Sequence, residues 1–85
     1  MKKYTKIYMD YFGYGIQDFV PCECCGNKAV DIHHIYGRGP GKDNIKNLMA
    51  LCRKHHEMAH SEIPKSTMQY IHNAFLAGQR KIFIK

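Results

Sequence analysis

Cys22-Glu23-Cys24-Cys25-Gly26, Asp31-Ile32-His33-His34-Ile35 and Leu48-Met49-Ala50-Leu51-Cys52-Arg53-Lys54-His55-His56 lie within thirty-five residues of one another, and their reading decides the fold. The first stretch holds a Cys-x-x-Cys pair, Cys22 and Cys25, closed by Gly26. The last holds a matching pair, Cys52 and His55. Zinc takes four nitrogen or sulfur ligands in a tetrahedron, and a tight C-x-x-C turn supplies two from one loop. Cys22, Cys25, Cys52 and His55 are therefore the expected ligands of one structural zinc. Cys24 is spare, and its place between the two ligands leaves an alternative pairing open. A redox C-x-x-C is the rival reading. It leaves Cys52 and His55 without a purpose and lacks a surrounding βαβ pattern.

Around these pairs the chain alternates between periodic and broken stretches. Tyr4, Ile7, Tyr8, Tyr11 and Phe12 recur at helical spacing, which predicts an amphipathic helix over residues 3–12 ended by Gly13 and Gly15. Its aromatic stripe is expected to pack on the zinc module. Residues 29–35 read as a strand. Gly37-Arg38-Gly39-Pro40-Gly41 breaks any regular element. Asn47 precedes a short apolar run, Leu48–Leu51, which fits a second strand. Residues 53–61 read as a helix and residues 65–77 as a last helix, with Met68, Ile71 and Phe75 along one side and Gly78 at the cap position. Residues 81–85 alternate, as a strand or a loose tail would. His72 is taken as an ordinary helix residue.

The 85 residues are read as one domain, 1–85, of a size that often relies on a metal or disulfides. Four cysteines allow two disulfides. Residues 1–20, however, carry charges and tyrosines rather than the apolar stretch of a secretory signal, so thiolates in a reducing, cytoplasmic setting are expected. No apolar run approaches a membrane span. The formal net charge of +6 is a footprint compatible with phosphate backbones, though many small domains are basic.

The histidines left over, His33, His34, His56 and His60, exceed what one zinc needs. Their order is His-His on a strand, Asn47 before a second strand, and His56 at a helix start. In this the chain resembles the HNH endonucleases, also called ββα-metal or His-Me finger nucleases. The resemblance covers residues 20–61, about half the chain, and is nearest to the small freestanding HNH proteins that bacteriophages encode. It implies an α+β fold: a small ββα-metal finger with a Cys3His zinc site and flanking N- and C-terminal helices. It also implies roles. His34 matches the general base, His33 and His56 match ligands of a catalytic divalent ion, and Asn47 matches the residue that fixes the loop. His60, one helical turn beyond His56, is a third ligand or a neighbour of the site. Many family members carry Asp where His33 stands, whereas colicin nucleases have His-His. Imidazole ligands suit Ni²⁺, Co²⁺, Mn²⁺ or Zn²⁺ better than Mg²⁺, which prefers oxygen.

The implied activity is metal-dependent hydrolysis of DNA, leaving 5′-phosphate and 3′-hydroxyl ends. Arg38, Lys42, Lys46, Arg53 and Lys54 are expected to contact double-stranded DNA with little sequence preference. Partnership with a phage terminase or other packaging proteins is a family-level analogy, and with it goes the cytoplasm of a host cell. The alternatives are a zinc-stabilised nucleic-acid-binding module without catalysis and a small zinc-held interaction domain. Adjacent strand residues point to opposite faces, so His33 and His34 reach one phosphate only if the strand bends or ends there. Asp31 shares a face with His33 in an ideal strand, which suits it to support that ligand from behind.

Overall fold

Leu48-Met49-Ala50-Leu51 is buried at every position because it has a partner on each face. In the computed structural model, which describes residues 1–85, these four residues form strand β2 and pair antiparallel with β1, Asp31–His34. The register sets Asp31 opposite Leu51, Ile32 opposite Ala50, His33 opposite Met49 and His34 opposite Leu48. Side chains alternate across a strand. Leu48 and Ala50 accordingly face helix α1, Lys3–Phe12, and pack with Tyr8, Tyr4, Ile7, Phe12 and Ile32. Met49 and Leu51 face the other way. They pack with Cys22, Cys24 and Ile35 and with Met68 and Ile71 of helix α3, Lys65–Leu76. Helix α2, Arg53–Ser61, follows β2 directly, with Cys52 as its N-cap residue. The protein is thus a small α+β unit of three helices and a two-stranded sheet.

The expected α1 and β2 agree with these bounds, and α3 ends one residue earlier than expected. The first strand is shorter than the expected 29–35 because β2 offers only four partners. A 3-10 turn, Ile45–Asn47, bounds β2 on one side and α2 on the other. Tyr11, expected in the buried stripe, is 55% exposed. Residues 81–85 join no strand. They are pinned instead by the amides of Phe83 and Ile84, which donate to the Cys24 carbonyl at 2.8 and 3.1 Å. No helix is long and apolar enough to cross a membrane.

His72 is not an ordinary helix residue. It is fully buried, and its Nδ1 lies 2.7 Å from Glu23 Oε1. Its Nε2 donates to the Ile45 carbonyl. A carbonyl only accepts, so Nε2 carries a proton and a second proton lies between Nδ1 and the carboxylate. Glu23 Oε2 also accepts from the Tyr8 hydroxyl and, at 3.3 Å, from the Ala50 amide. Burial and then the neighbouring Glu23 charge push the Tyr8 phenol far above its ordinary range, so it stays a donor. Glu23 lies inside the Cys-x-x-Cys turn. One buried carboxylate therefore ties α1, β2 and α3 to the knuckle through three hydrogen bonds shared between its two oxygens.

Candidate metal centre and histidine site

The sulfur-rich cluster is built by two local turns. The Gly26 amide donates to the Cys22 carbonyl at 2.8 Å and Gly26 has φ +82°, a left-handed turn that costs glycine little. On the other side, Cys52 caps α2 and His55 follows at the end of its first turn. Cys22 Sγ and Cys52 Sγ lie 3.8 and 3.2 Å from His55 Nδ1, and Cys25 Sγ lies 3.9 Å from Cys52 Sγ. With zinc–sulfur bonds of about 2.3 Å and zinc–nitrogen bonds of about 2.0–2.1 Å, the edges of a tetrahedron fall at roughly 3.5–3.8 Å. A disulfide would need about 2.05 Å. The four donor atoms all lie within 4.8 Å of one another, and the donor set suits zinc. The chain can hold a metal ion such as zinc here.

Cys24, the spare thiol, has a place. It is completely buried, and its neighbouring thiol holds the Cys22 thiol down at about 4. Burial pushes the Cys25 thiol up to about 11. A bound cation reverses that penalty, since the thiolate is the form that ligates.

A second cluster sits where β1 meets α2. His33, His56 and His60 bring their donor atoms within 4.8 Å of one another. Ring centroids are 5.0 Å apart for His33 and His56, 5.2 Å for His33 and His60, and 4.9 Å for His56 and His60. His56 Nε2 and His60 Nε2 face each other at 3.3 Å. Two imidazoles on one ion at about 2.0–2.1 Å would be separated by roughly that distance. Asp31 does not support His33, as expected from strand alternation. Its Oδ2 instead accepts from His56 Nδ1 at 2.9 Å. The carboxylate thereby fixes the proton on Nδ1 and leaves the Nε2 lone pair turned to the cluster, an arrangement common behind metal-bound histidines. The expectation failed because Asp31 sits at the start of the strand, where α2 passes over it.

His33 is kept neutral. Burial first, then the neighbouring His56, His60 and His34 rings and Lys65, lower it to about 4. Unfolded, the same ring titrates near 6.5. Between these values the unfolded chain binds a proton that the folded chain does not, so stability falls as pH drops through that window. Urea midpoints at pH 7 and pH 4.5 should therefore fall further in the parent than in His33→Asn. Equal losses would mean that the ring is not buried neutral.

His34 points to the opposite face from His33, toward α1, where its ring meets Tyr4 edge-on at 4.6 Å. The strand ends at His34, so both histidines still border one open concavity of about 200 Å³, together with Ile32, Gly37, Arg38, His56 and His60. His34 Nε2 lies 2.8 Å from Asp43 Oδ1, a partner that sequence reading missed. Asn47 is buried. Its Oδ1 accepts from the Tyr36 amide at 2.8 Å, and its Nδ2 donates to the Gly37 and Lys42 carbonyls at 3.2 and 2.9 Å. One side chain thus closes both ends of the glycine-rich loop, whose Gly37 has φ +85°.

The expected cationic residues divide. Arg38 borders the histidine concavity and also stacks over Tyr4, its guanidinium 5.2 Å from the ring centroid. Lys42 and Lys46 line a neighbouring concavity with Tyr36, Asn44 and Gln69. Arg53 and Lys54 line a third concavity with Glu57 and Glu62. Arg53 is 3.3 Å from Asp31, and Lys54 donates to the Lys85 carbonyl at 3.0 Å.

No protein-family model matches the chain, and no solved structure matches it. Among curated proteins it is similar to YdfU of Escherichia coli (strain K12), an uncharacterized protein, at 44% identity over 46 residues. The match takes in 49% of this chain and 13% of YdfU, so the chain spans only a small part of that relative's length.

Proposed function

We propose that the protein is a metal-dependent DNA endonuclease of the HNH, or ββα-metal finger, type. The observation that carries the reading is the convergence of His33, His34, His56 and His60 on one concavity, beside a loop that a buried Asn47 holds closed. A binding module would need the net charge and the Cys3His cluster, but it gives these imidazoles no task. The strand–strand–helix order of β1, β2 and α2 supports the same reading.

In this proposal Cys22, Cys25, Cys52 and His55 hold a structural zinc, and His33, His56 and His60 hold a second divalent ion. That ion supplies charge stabilisation at the phosphate as the P–O bond breaks. Nitrogen ligands favour Ni²⁺, Co²⁺, Mn²⁺ or Zn²⁺ over Mg²⁺ there. The remaining tasks fall to the chain's own side chains. His34 takes a proton from the attacking water, the task for which neutral imidazole is best suited near pH 7. Asp31 keeps the His56 ring in one tautomer. Asn47 keeps the loop from sagging into the concavity. Arg38, with Lys42 and Lys46 close by, draws in the phosphodiester backbone without reading bases. The products are 5′-phosphate and 3′-hydroxyl ends. The double-stranded DNA substrate, a role in phage DNA processing or packaging beside a terminase, and a cytoplasmic site of action are part of the proposal by analogy with the family.

The test is conversion of supercoiled plasmid to nicked circle by zinc-loaded protein, with each divalent ion added in turn. We expect nicking that EDTA stops and that falls steeply with added salt, and nicks that a ligase can reseal. DNA binding with no nicking under any ion would leave the non-catalytic binding module as the reading.

A further inference from the structure

Tyr36 lies just past the end of β1, and the proposed chemistry gives it no task. Its side chain is an exposed aromatic, at 46%, yet its place is fixed from behind. The Tyr36 amide donates to Oδ1 of the buried Asn47 at 2.8 Å, and the same side chain holds the Gly37 and Lys42 carbonyls. On the other side, Gln69 Nε2 of α3 donates to the Lys46 carbonyl at 2.9 Å. Loop and helix thus shape a concavity of about 560 Å³ whose lining includes Tyr36, Lys42, Lys46 and Gln69. That volume is in the range of sites that take a small flat ring system. This concavity and the histidine concavity adjoin at one peptide: Tyr36 lines the first and Gly37 the second. Lys65, at the start of α3, is near both. Its Nζ stands 5.9 Å from the Tyr36 ring centroid, and its charge is among those that bear on His33. No carboxylate lines either concavity.

We propose that the second concavity receives an unpaired base of the DNA strand being cut, stacked on Tyr36, with Lys42, Lys46 and Lys65 on the flanking phosphates. This inference rests on the nuclease reading and narrows its substrate to duplex DNA that is locally open. Inside a duplex the faces of a base are covered by its neighbours, so a base can lie against a tyrosine only after it has left the stack. An aromatic ring beside a basic track is the arrangement that holds single strands, because every base has a face to stack and every nucleotide a phosphate to pair. Backbone binding alone would use the lysines, but it would leave a rigidly seated, half-open ring without a purpose. Adjoining residues have Cα atoms about 3.8 Å apart, and neighbouring nucleotides on one strand rise about 3.4 Å. A base on Tyr36 therefore belongs to a nucleotide close to the phosphate at the histidines. Lys65 is at the outer limit of a cation–π contact with the ring, so little holds it back from a phosphate.

The test compares two labelled probes of one sequence, an intact duplex and the same duplex with a short central unpaired stretch. Fluorescence anisotropy gives the Kd of zinc-loaded protein for each, with no second divalent ion added, and nicking of both is then followed with the ion present. The parent should bind the opened probe on the order of tenfold more tightly, the scale of stacking one base, and should cut it beside the unpaired stretch. Tyr36→Ala should lose that preference, and Tyr36→Phe, which stacks without a hydroxyl, should keep it. Lys65→Ala should weaken both probes alike and lower the salt slope by about one. Equal affinity of the parent for the two probes overturns the inference. So does an equal loss on both probes in Tyr36→Ala, or a Tyr36→Phe that behaves like Tyr36→Ala, since the ring would then not be stacking. Failure of the nuclease reading looks different: no protein in the set nicks either probe, whatever its binding preference, and the placing of the base beside a cut falls with it.

Discussion

Serine at position 25 should leave the chain without a cooperative fold at 25 °C. Cys25 is one of four donors in a cluster that has two short turns for a scaffold, and Met49 and Leu51 pack directly against those turns. Structural zinc contributes about 10–16 kcal/mol in isolated zinc-finger peptides near neutral pH. A small domain has a net stability of only about 5–15 kcal/mol. Losing a thiolate opens the tetrahedron, removes a large share of that binding energy, and leaves Cys22, Cys52 and His55 facing one another around nothing. The knuckle also carries Glu23, so its loosening breaks the contacts of Glu23 with Tyr8 and His72. A buried pair that loses a partner costs about 3–5 kcal/mol more. Circular dichroism should show a sloping, non-cooperative melt for Cys25→Ser and a sharp one for the parent, and metal analysis should find the variant depleted of zinc. A sharp melt with a full complement of zinc would show that Cys25 is not a ligand, and Cys24 would be the next candidate.

What the sequence disclosed was local. Cys22 and Cys25, like Cys52 and His55, announce themselves by a three-residue spacing that only a tight turn or a helix start explains. Leu48–Leu51 was legible because an apolar run of four between breakers has few other uses, and α1 because its stripe repeats at helical period. The hidden parts are long-range. Asp43 is nine residues from His34 across a loop of glycines, and nothing in the loop's composition says which way its acid turns. Glu23 meets Tyr8 fifteen residues back and His72 forty-nine residues ahead. Nothing in a Glu between two cysteines says that three elements close over it. Asp31 was misassigned because strand alternation is a local rule, and the passage of α2 over the strand's start is a tertiary fact. Arg53 and Lys54 stand out in the sequence by charge alone, and the contact of Arg53 with Asp31, the carboxylate behind His56, is again a tertiary fact.

The largest kinetic effect is expected at His34. Its ring is held between Tyr4 on one side and the glycine-rich loop on the other, on the last residue of β1, and it supplies none of the donor atoms in either metal cluster. Replacing it with alanine should leave the Cys3His cluster and the three-histidine cluster intact, with a cooperative melt retained. General-base catalysis is worth about 10²–10⁴-fold, so nicking should fall by that factor at saturating metal and DNA, with DNA affinity little changed. The decisive measurement is this plasmid-nicking comparison of parent and His34→Ala at equal zinc content. We predict at least a hundredfold loss of rate in the variant, in line with that range. Equal rates in the two proteins would contradict the account, because no imidazole at position 34 would then be taking the proton from water.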